Sequence, residues 1–516
     1  MMRKILLILL LLLTFFVKAA PKPYSLVWND FNINDNTGLM VLGQINTVKP
    51  SLDKASRWSI GCECLDRDYA DFDRIKDFYG ELGAGYARIQ SGWARCEKEK
   101  GKYDFAWLDR IVDGLIEEGV KPWMCLCYGN PIYSDGGISL NATIFTDPKV
   151  MAAWERYVAA VVKHFKGRVH MYEVWNEPDS GENKKYPERY GDLFAVTAKA
   201  IRKVDKDVMI AGGSFTARFR MDWITKALDR IKERGAAQHL QAVTFHPYYP
   251  IPEEATDAIL RLKKLVHEYN PSAILLQGES GCPSQLEYNH ALCYHKWTEY
   301  SQVKWIMRRM MCDFELDIPS SIFTMVDLQY DFMLQSFGLV RMNLLKEPVY
   351  KRPSFYAVSH AVALLNSETE PFSGVGVKES KGTEIKSVGI AKGGKCVGVA
   401  YWRGDDKPSD ILDKDGELFE EINNEAVENE TKNIDYKKAL LCRAFFISSK
   451  KIHMSIYQTH ILKNGLKMEE VKQVVENIEN KVEADKIAEQ VLINKRSRER
   501  SEKERLNIKK TLQTKK

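Results

Sequence analysis

From residue 58 onward the chain alternates between two hydrophobic patterns. Short, nearly continuous apolar runs rich in strand-forming residues occupy 58–62, 86–90, 121–127, 170–175, 208–212, 242–245, 274–277 and 321–326. Longer stretches between them repeat apolar residues at helical spacing. Over 105–118, for example, Trp107, Ile111, Leu115 and Ile116 fall on one face and Gly119 is a stop signal. Eight such β runs, with a similar helical stretch before each later strand, predict an α/β protein with a (β/α)8 TIM barrel in residues 51–350. A doubly wound open sheet would use the same elements, but it lacks its Gly-rich phosphate fingerprint here, so the closed barrel is expected.

Past Pro353 the period changes. Strand-like segments at 385–391 and 395–402, separated by Gly393-Gly394, and a later one at 439–447 predict a small accessory antiparallel β domain, sandwich-like, over 351–450. The N-terminal segment 21–50, with apolar runs at 24–28 and 39–42, is expected to join it. Residues 451–516 form a charged helical or disordered tail. Met468, Val471, Val475, Ile478 and Val482 mark a short amphipathic helix there, and the Arg/Lys/Glu run over 495–516 is expected to be disordered. Residues 1–20 read as a signal peptide: Arg3 and Lys4, an apolar run over 5–17 shorter than the about 20 residues of a membrane span, then Ala19-Ala20-Pro21. A secreted or periplasmic protein without an integral membrane segment after cleavage is the expectation.

Charge changes this picture little. Residues 451–516 carry 16 Lys/Arg against 10 Asp/Glu, whereas 21–450 carry 56 against 60. The folded part is near neutral, so no nucleic-acid-binding face is expected. Cys62, Cys64, Cys125 and Cys127 sit inside apolar runs and read as buried free thiols; Cys282 and Cys293 leave a loop disulfide open. No zinc-type cysteine spacing occurs, and neither a metal nor an organic cofactor is expected.

Two glutamates end barrel strands. Glu177 closes strand four in Trp175-Asn-Glu-Pro178, and Glu279 closes strand seven in Gln277-Gly-Glu-Ser280. In a TIM barrel, side chains at these C-terminal ends converge on one pocket, and strands four and seven face each other across its mouth. A facing pair of carboxyl groups is what glycosidic bond cleavage requires: one protonates the leaving oxygen, the other meets the charge developing at the anomeric carbon. Lone strand-end glutamates are more often capping or salt-bridging residues, and Glu63 and Glu173 are read in that way.

The Trp-Asn-Glu-Pro tetrapeptide resembles the acid/base motif of glycoside hydrolase clan A, the 4/7 superfamily. Together with the run Tyr103-Asp-Phe-Ala-Trp-Leu-Asp109 and Gly119-Val-Lys-Pro122, it looks most like family 39, which includes β-xylosidases and α-L-iduronidases. The resemblance implies Glu177 as acid/base and Glu279 as nucleophile of a retaining hydrolase acting on an oligo- or polysaccharide, β-xyloside-like substrates favoured. It implies that Asn176 binds the sugar 2-hydroxyl, that Arg88 lies beside the nucleophile, and that His246 and Tyr248 orient it. At strand eight the chain departs from the clan's tryptophan platform, and Tyr330 or Phe332 is expected to serve instead. Trp93 and Tyr128 lead the candidate sugar-stacking residues, followed by Tyr133, Trp175 and Tyr249. The competing expectation is a carbohydrate-binding barrel without turnover.

Overall fold

Parallel neighbours cannot be joined by tight turns, so each apolar run needs a crossover back to the same end of the sheet. The computed structural model describes residues 45–133, 142–287, 289–293, 295–330, 333–373 and 385–403. In it the eight runs form a closed barrel in chain order: β1 (Trp58–Cys62), β2 (Tyr86–Gln90), β3 (Lys121–Leu126), β4 (Met171–Val174), β5 (Met209–Thr216), β6 (Ala242–His246), β7 (Ile274–Ser280) and β8 (Ser320–Ile322). The ring closes where β8 pairs with β1, Trp58 lying opposite Ser320. One principal helix follows each strand: α1 (Lys76–Leu82), α2 (Ala106–Glu117), α3 (Pro148–His164), α4 (Pro187–Val204), α5 (Met221–Glu233), α6 (Thr256–Tyr269), α7 (Glu299–Glu315) and α8 (Pro353–Leu364).

The barrel confirms the expected fold class and excludes the open sheet. Strands β5 and β7 run beyond the ends expected at 212 and 277, to Thr216 and Ser280. There the apolar pattern gives way to polar side chains that face the site while backbone pairing continues. Both extensions contain a shift of register, between Gly212 and Phe215 and between Gln277 and Ser280. Such bulges re-aim side chains at barrel rims. Gly213 makes the first possible: its φ is +105°, and a Cβ there would lie 2.5 Å from the Thr244 carbonyl oxygen. On α2 the buried face is Leu108, Ile111, Val112 and Leu115, with Trp107 and Ile116 at its margin. Trp107 instead carries the Arg95 guanidinium, 4.4 Å from its ring.

Towards the N-terminal ends of the strands the barrel interior is apolar, with Trp123, Met171, Ala211, Ala242 and Leu276 packed together. Above it the Arg88 guanidinium lies 5.4 Å from the Trp123 ring. The strands' outer faces meet the helices in the main hydrophobic core.

A correction concerns the boundary placed at 351. Residues 353–364 form α8, the eighth barrel helix, packed against α1 and α7. Phe355, Val358, Ala361 and Val362 are its buried side. Pro353 at the first turn and the 3–4 spacing of the buried residues favour helix. Beyond it, β9 (Thr369–Phe372), β10 (Ile385–Lys392) and β11 (Lys395–Arg403) form an antiparallel sheet turning at Gly393-Gly394, as expected. Trp402 Nε1 ties this sheet to the barrel by donating to Glu253 Oε1 at 2.5 Å. The expected signal peptide, the runs at 24–28, 39–42 and 439–447, Phe332 and the charged tail lie outside the described residues. All nine described cysteines, Cys282 and Cys293 included, are free. No helix among the described residues is long and apolar enough to cross a membrane.

Candidate active site

At the exit of β4 the backbone turns sharply: Trp175 and Glu177 have φ of +68° and +50°, in the left-handed region that side chains normally avoid. This turn is held by Trp175 N–H donating to Leu126 O at 3.0 Å and by Ser180 Oγ donating to Glu177 O at 2.7 Å. Strained backbone of this kind clusters at functional sites, where surrounding structure over-determines it. Glu279 occupies the β7 bulge. One carboxylate oxygen from each glutamate and a ring nitrogen of His246 all lie within 4.8 Å of one another.

Arg88, fully buried on β2, connects the two sides. Its Nη1 donates to Glu279 Oε2 at 2.8 Å and to Glu63 Oε1 at 3.3 Å. Its Nη2 donates to Glu173 Oε2 at 2.6 Å and Asn176 Oδ1 at 2.8 Å, and its Nε to Glu173 Oε2 at 3.0 Å. The other Glu173 oxygen accepts from Thr244 Oγ1 at 2.5 Å. Thus the expected placement of Arg88 beside Glu279 holds, and Glu63 and Glu173, read as salt-bridging residues, are its remaining carboxylate partners.

Glu279 receives a second donor, Tyr248 Oη, at 2.8 Å on Oε1. Burial by itself would push this carboxyl up, but the His246 and Arg88 charges and the Tyr248 hydroxyl outweigh it, so its pKa lies below the ordinary glutamate value. Glu177 is provided for differently. Its Oε1 lies 3.1 Å from His246 Nδ1, whose other nitrogen is 2.9 Å from Ser214 Oγ. Burial disfavours the charged imidazole, yet Glu279 and Glu177 beside it reverse the balance, and the His246 pKa is raised. An imidazolium then donates from both nitrogens, to Glu177 and to Ser214. Ser214 Oγ passes the chain on to Asn176 Oδ1 at 3.3 Å. With both neighbours using its oxygen, Asn176 keeps its amide N–H groups for another acceptor.

The aromatic expectations need correcting. Trp93 has no exposed surface: it stacks on Tyr133 and Tyr157 at 5.4 and 5.5 Å, and its Nε1 donates to the buried Glu97 at 2.6 Å. The helical turn Trp93–Cys96 folds it away from the mouth. Tyr128 is also buried, edge-on to Trp175 with ring centroids 5.6 Å apart and 5.5 Å from the Arg67 guanidinium. Tyr330, 6% exposed, packs against Tyr69 at 4.3 Å and His290 at 4.8 Å, which leaves it little ring face for a sugar. Trp175 is buried, while Tyr133 and Tyr249 keep partial exposure. Ser214 and Thr244 were not anticipated. Their only sequence signal is a hydroxyl interrupting a buried strand.

The closed parallel barrel brings glutamates from its fourth and seventh strand ends to one cleft, with an arginine on the second strand against the latter, an arrangement similar to that of the 4/7 glycoside hydrolases. Residues 44–267, which include six of the eight strands, match the family model described as glycosyl hydrolases family 39, a family of clan A. The chain is 30% identical over 150 residues to a β-xylosidase of Geobacillus stearothermophilus, 26% of this chain and 28% of that protein. It is 25% identical over 259 residues to a β-xylosidase of Caldicellulosiruptor saccharolyticus, covering 43% of this chain and 51% of the other. It therefore spans between about a quarter and about half the length of these curated relatives. In fold it resembles a family 39 glycoside hydrolase from the gut symbiont Bacteroides cellulosilyticus WH2, with a TM-score of 0.52 and 20% identity over 69% of this chain and 71% of that one.

Proposed function

We propose that this barrel is a retaining glycosidase in which Glu279 is the nucleophile and Glu177 the acid/base. The observation that carries the reading is the spacing and unequal provisioning of the two carboxyl groups. Their nearest oxygens lie within 4.8 Å. Double displacement uses carboxyl groups about 5–5.5 Å apart, whereas an inverting enzyme leaves about 6.5–9.5 Å for a water. Arg88 and Tyr248 keep Glu279 ionised and aimed, as a nucleophile requires, and no cation of that strength touches Glu177.

In the first step a Glu279 oxygen attacks the anomeric carbon, the glycosidic C–O bond breaks, and Glu177 gives its proton to the departing oxygen. The carboxylate left on Glu177 is received by His246 Nδ1. In the second step Glu177 takes a proton from water, whose oxygen displaces Glu279 from the glycosyl-enzyme and returns the original anomeric configuration. Asn176 supplies an N–H donor to the 2-hydroxyl, a contact that strengthens as the ring becomes cationic.

Both curated relatives are called β-xylosidases, which supports a β-xyloside as the first substrate to test. Hydrolysis of aryl β-D-xylosides and related aryl glycosides by the purified chain, followed by proton NMR of the first-formed sugar, is the direct assay. Turnover with retained configuration, lost in Glu279→Ala, is expected. First-formed product of inverted configuration would refute the mechanism, and activity surviving in Glu279→Ala would refute the assignment.

A further inference from the structure

Glu63, one residue past β1, has no role in the mechanism above, yet it touches the same guanidinium nitrogen as the nucleophile. Its Oε1 is 3.3 Å from Arg88 Nη1, against 2.8 Å for Glu279 Oε2. The side chain is buried, and Oε2 has no hydrogen-bond partner among the described residues. It occupies the space that Gly61 leaves open, where a Cβ would lie 2.1 Å from Oε2 and 2.9 Å from Thr324 Oγ1. Around it stand its chain neighbours Cys62, the last residue of β1, and Cys64, with Tyr79 of α1, Arg88 of β2, Tyr248 after β6 and Glu279 of β7. Arg88 is the one cation in that shell among the described residues, and Glu173 and Glu279 already take its shorter contacts.

An ionised Glu63 would be a buried charge with one long hydrogen bond, next to a second carboxylate on the same donor. A neutral carboxylic acid at the same place needs only the one acceptor contact. Resting on the glycosidase reading, we propose that Glu63 is a positioning residue that works as a neutral acid: protonated, it leaves Arg88 Nη1 to Glu279, and its ionisation draws that hydrogen bond away and ends activity on the alkaline side. Burial, with Glu279 adding to it and Arg88 opposing, pushes its pKa to about 8, so the change falls within reach of an ordinary pH profile.

Two measurements test this on the full chain. The first is the pH profile of kcat/KM on 2,4-dinitrophenyl β-D-xyloside, whose leaving group departs without protonation, so that Glu177 does not shape the alkaline limb. Wild type is expected to lose activity with a midpoint near 8, the value to which Glu63 is pushed. Glu63→Gln, which keeps the neutral shape and acceptor, is expected to fall a few-fold at neutral pH but to lose that limb. An identical limb in Glu63→Gln would overturn the proposal. The second needs no turnover: the infrared C=O stretch of a buried carboxylic acid should be present at neutral pH, disappear as wild type is titrated to alkaline pH, and be missing from Glu63→Gln. A neutral-pH spectrum without that band would overturn it as well. The band present while every aryl glycoside is left intact would uphold the protonation of Glu63 and reject the glycosidase reading instead.

Discussion

Arg88→Met removes one guanidinium and nearly all of the site's order. The substitution keeps most of the aliphatic stem over Trp123 but deletes the donors to Glu279, Glu63, Glu173 and Asn176. Deleting one partner of a buried ion pair costs about 3–5 kcal/mol, because the charges left behind are neither solvated nor paired. The pH dependence separates this from simple loss of packing. In wild type the Glu279 pKa is below its ordinary value, so the group contributes stability above the carboxylate range that is lost as pH falls through it. Without Arg88, two of the contributions that oppose burial are gone while His246 and Tyr248 remain, so the Glu279 pKa rises and the stability its ionised form contributes shrinks. The gap between the two proteins therefore widens between about pH 4 and pH 7, by up to about 1.4 kcal/mol per pH unit for each group whose protonation differs. Urea unfolding followed by tryptophan fluorescence at both pH values measures it. A difference of the same size at both, or one below about 1 kcal/mol at pH 7, would refute the claim that Arg88 acts as the counter-charge of the barrel interior.

Three further substitutions probe other parts of the site. Glu177→Gln should slow alkyl xylosides by orders of magnitude and dinitrophenyl xyloside far less in the first step; equal losses, measured as kcat/KM, would remove Glu177 as proton donor. Tyr248→Phe deletes the 2.8 Å hydrogen bond to Glu279 and should lower kcat/KM about 10–100-fold, the equivalent of about 1.5–3 kcal/mol for a bond to a charged group. It should also move the acidic limb to higher pH, because that hydroxyl is among the groups holding Glu279 low. Gly281→Ala would set a Cβ 1.8 Å from the Phe323 carbonyl oxygen, two residues beyond Glu279. A loss of about 1–3 kcal/mol or more in chemical denaturation, accompanied by lost activity, is expected, since backbone rather than a mobile side chain must give way.

How far the sequence revealed all this depended on whether backbone pattern or loop contact decided the outcome. Strands β1 and β2 lie where their apolar runs are, and Glu177 and Glu279 come together because strand order alone brings the fourth and seventh ends to one mouth. Arg88 was legible through the family resemblance, which implied its place beside Glu279. Trp93 was not: the same residue at a strand end can line a cleft or sink into the core, and here a single helical turn, invisible to periodicity, sends it inward against Tyr157. The α8 helix was missed because the boundary was set by the strand-like segments after it, while its packing against α1 and α7 makes it part of the barrel. Ser214 reaches the site only through the β5 bulge, and bulges leave little trace in hydrophobic pattern.

The difference between Glu279 and Glu177 can be traced to the barrel itself. Arg88, Glu173 and Thr244 come from β2, β4 and β6, the alternate strands whose inward residues share a layer in such barrels. They are linked in a row, Arg88 donating to one Glu173 oxygen and Thr244 to the other. Glu173 is thereby spent on orienting the guanidinium, whose outer nitrogen is left for β7 and β1. Glu279, in the β7 bulge, receives that nitrogen directly and becomes the better-anchored anion. Glu177, which follows β4 at the left-handed turn of Trp175 and Glu177, has its carboxylate 3.1 Å from His246 Nδ1 instead. The same arginine therefore anchors one carboxyl group and makes no hydrogen bond to the other, and this difference follows from which strand each residue ends.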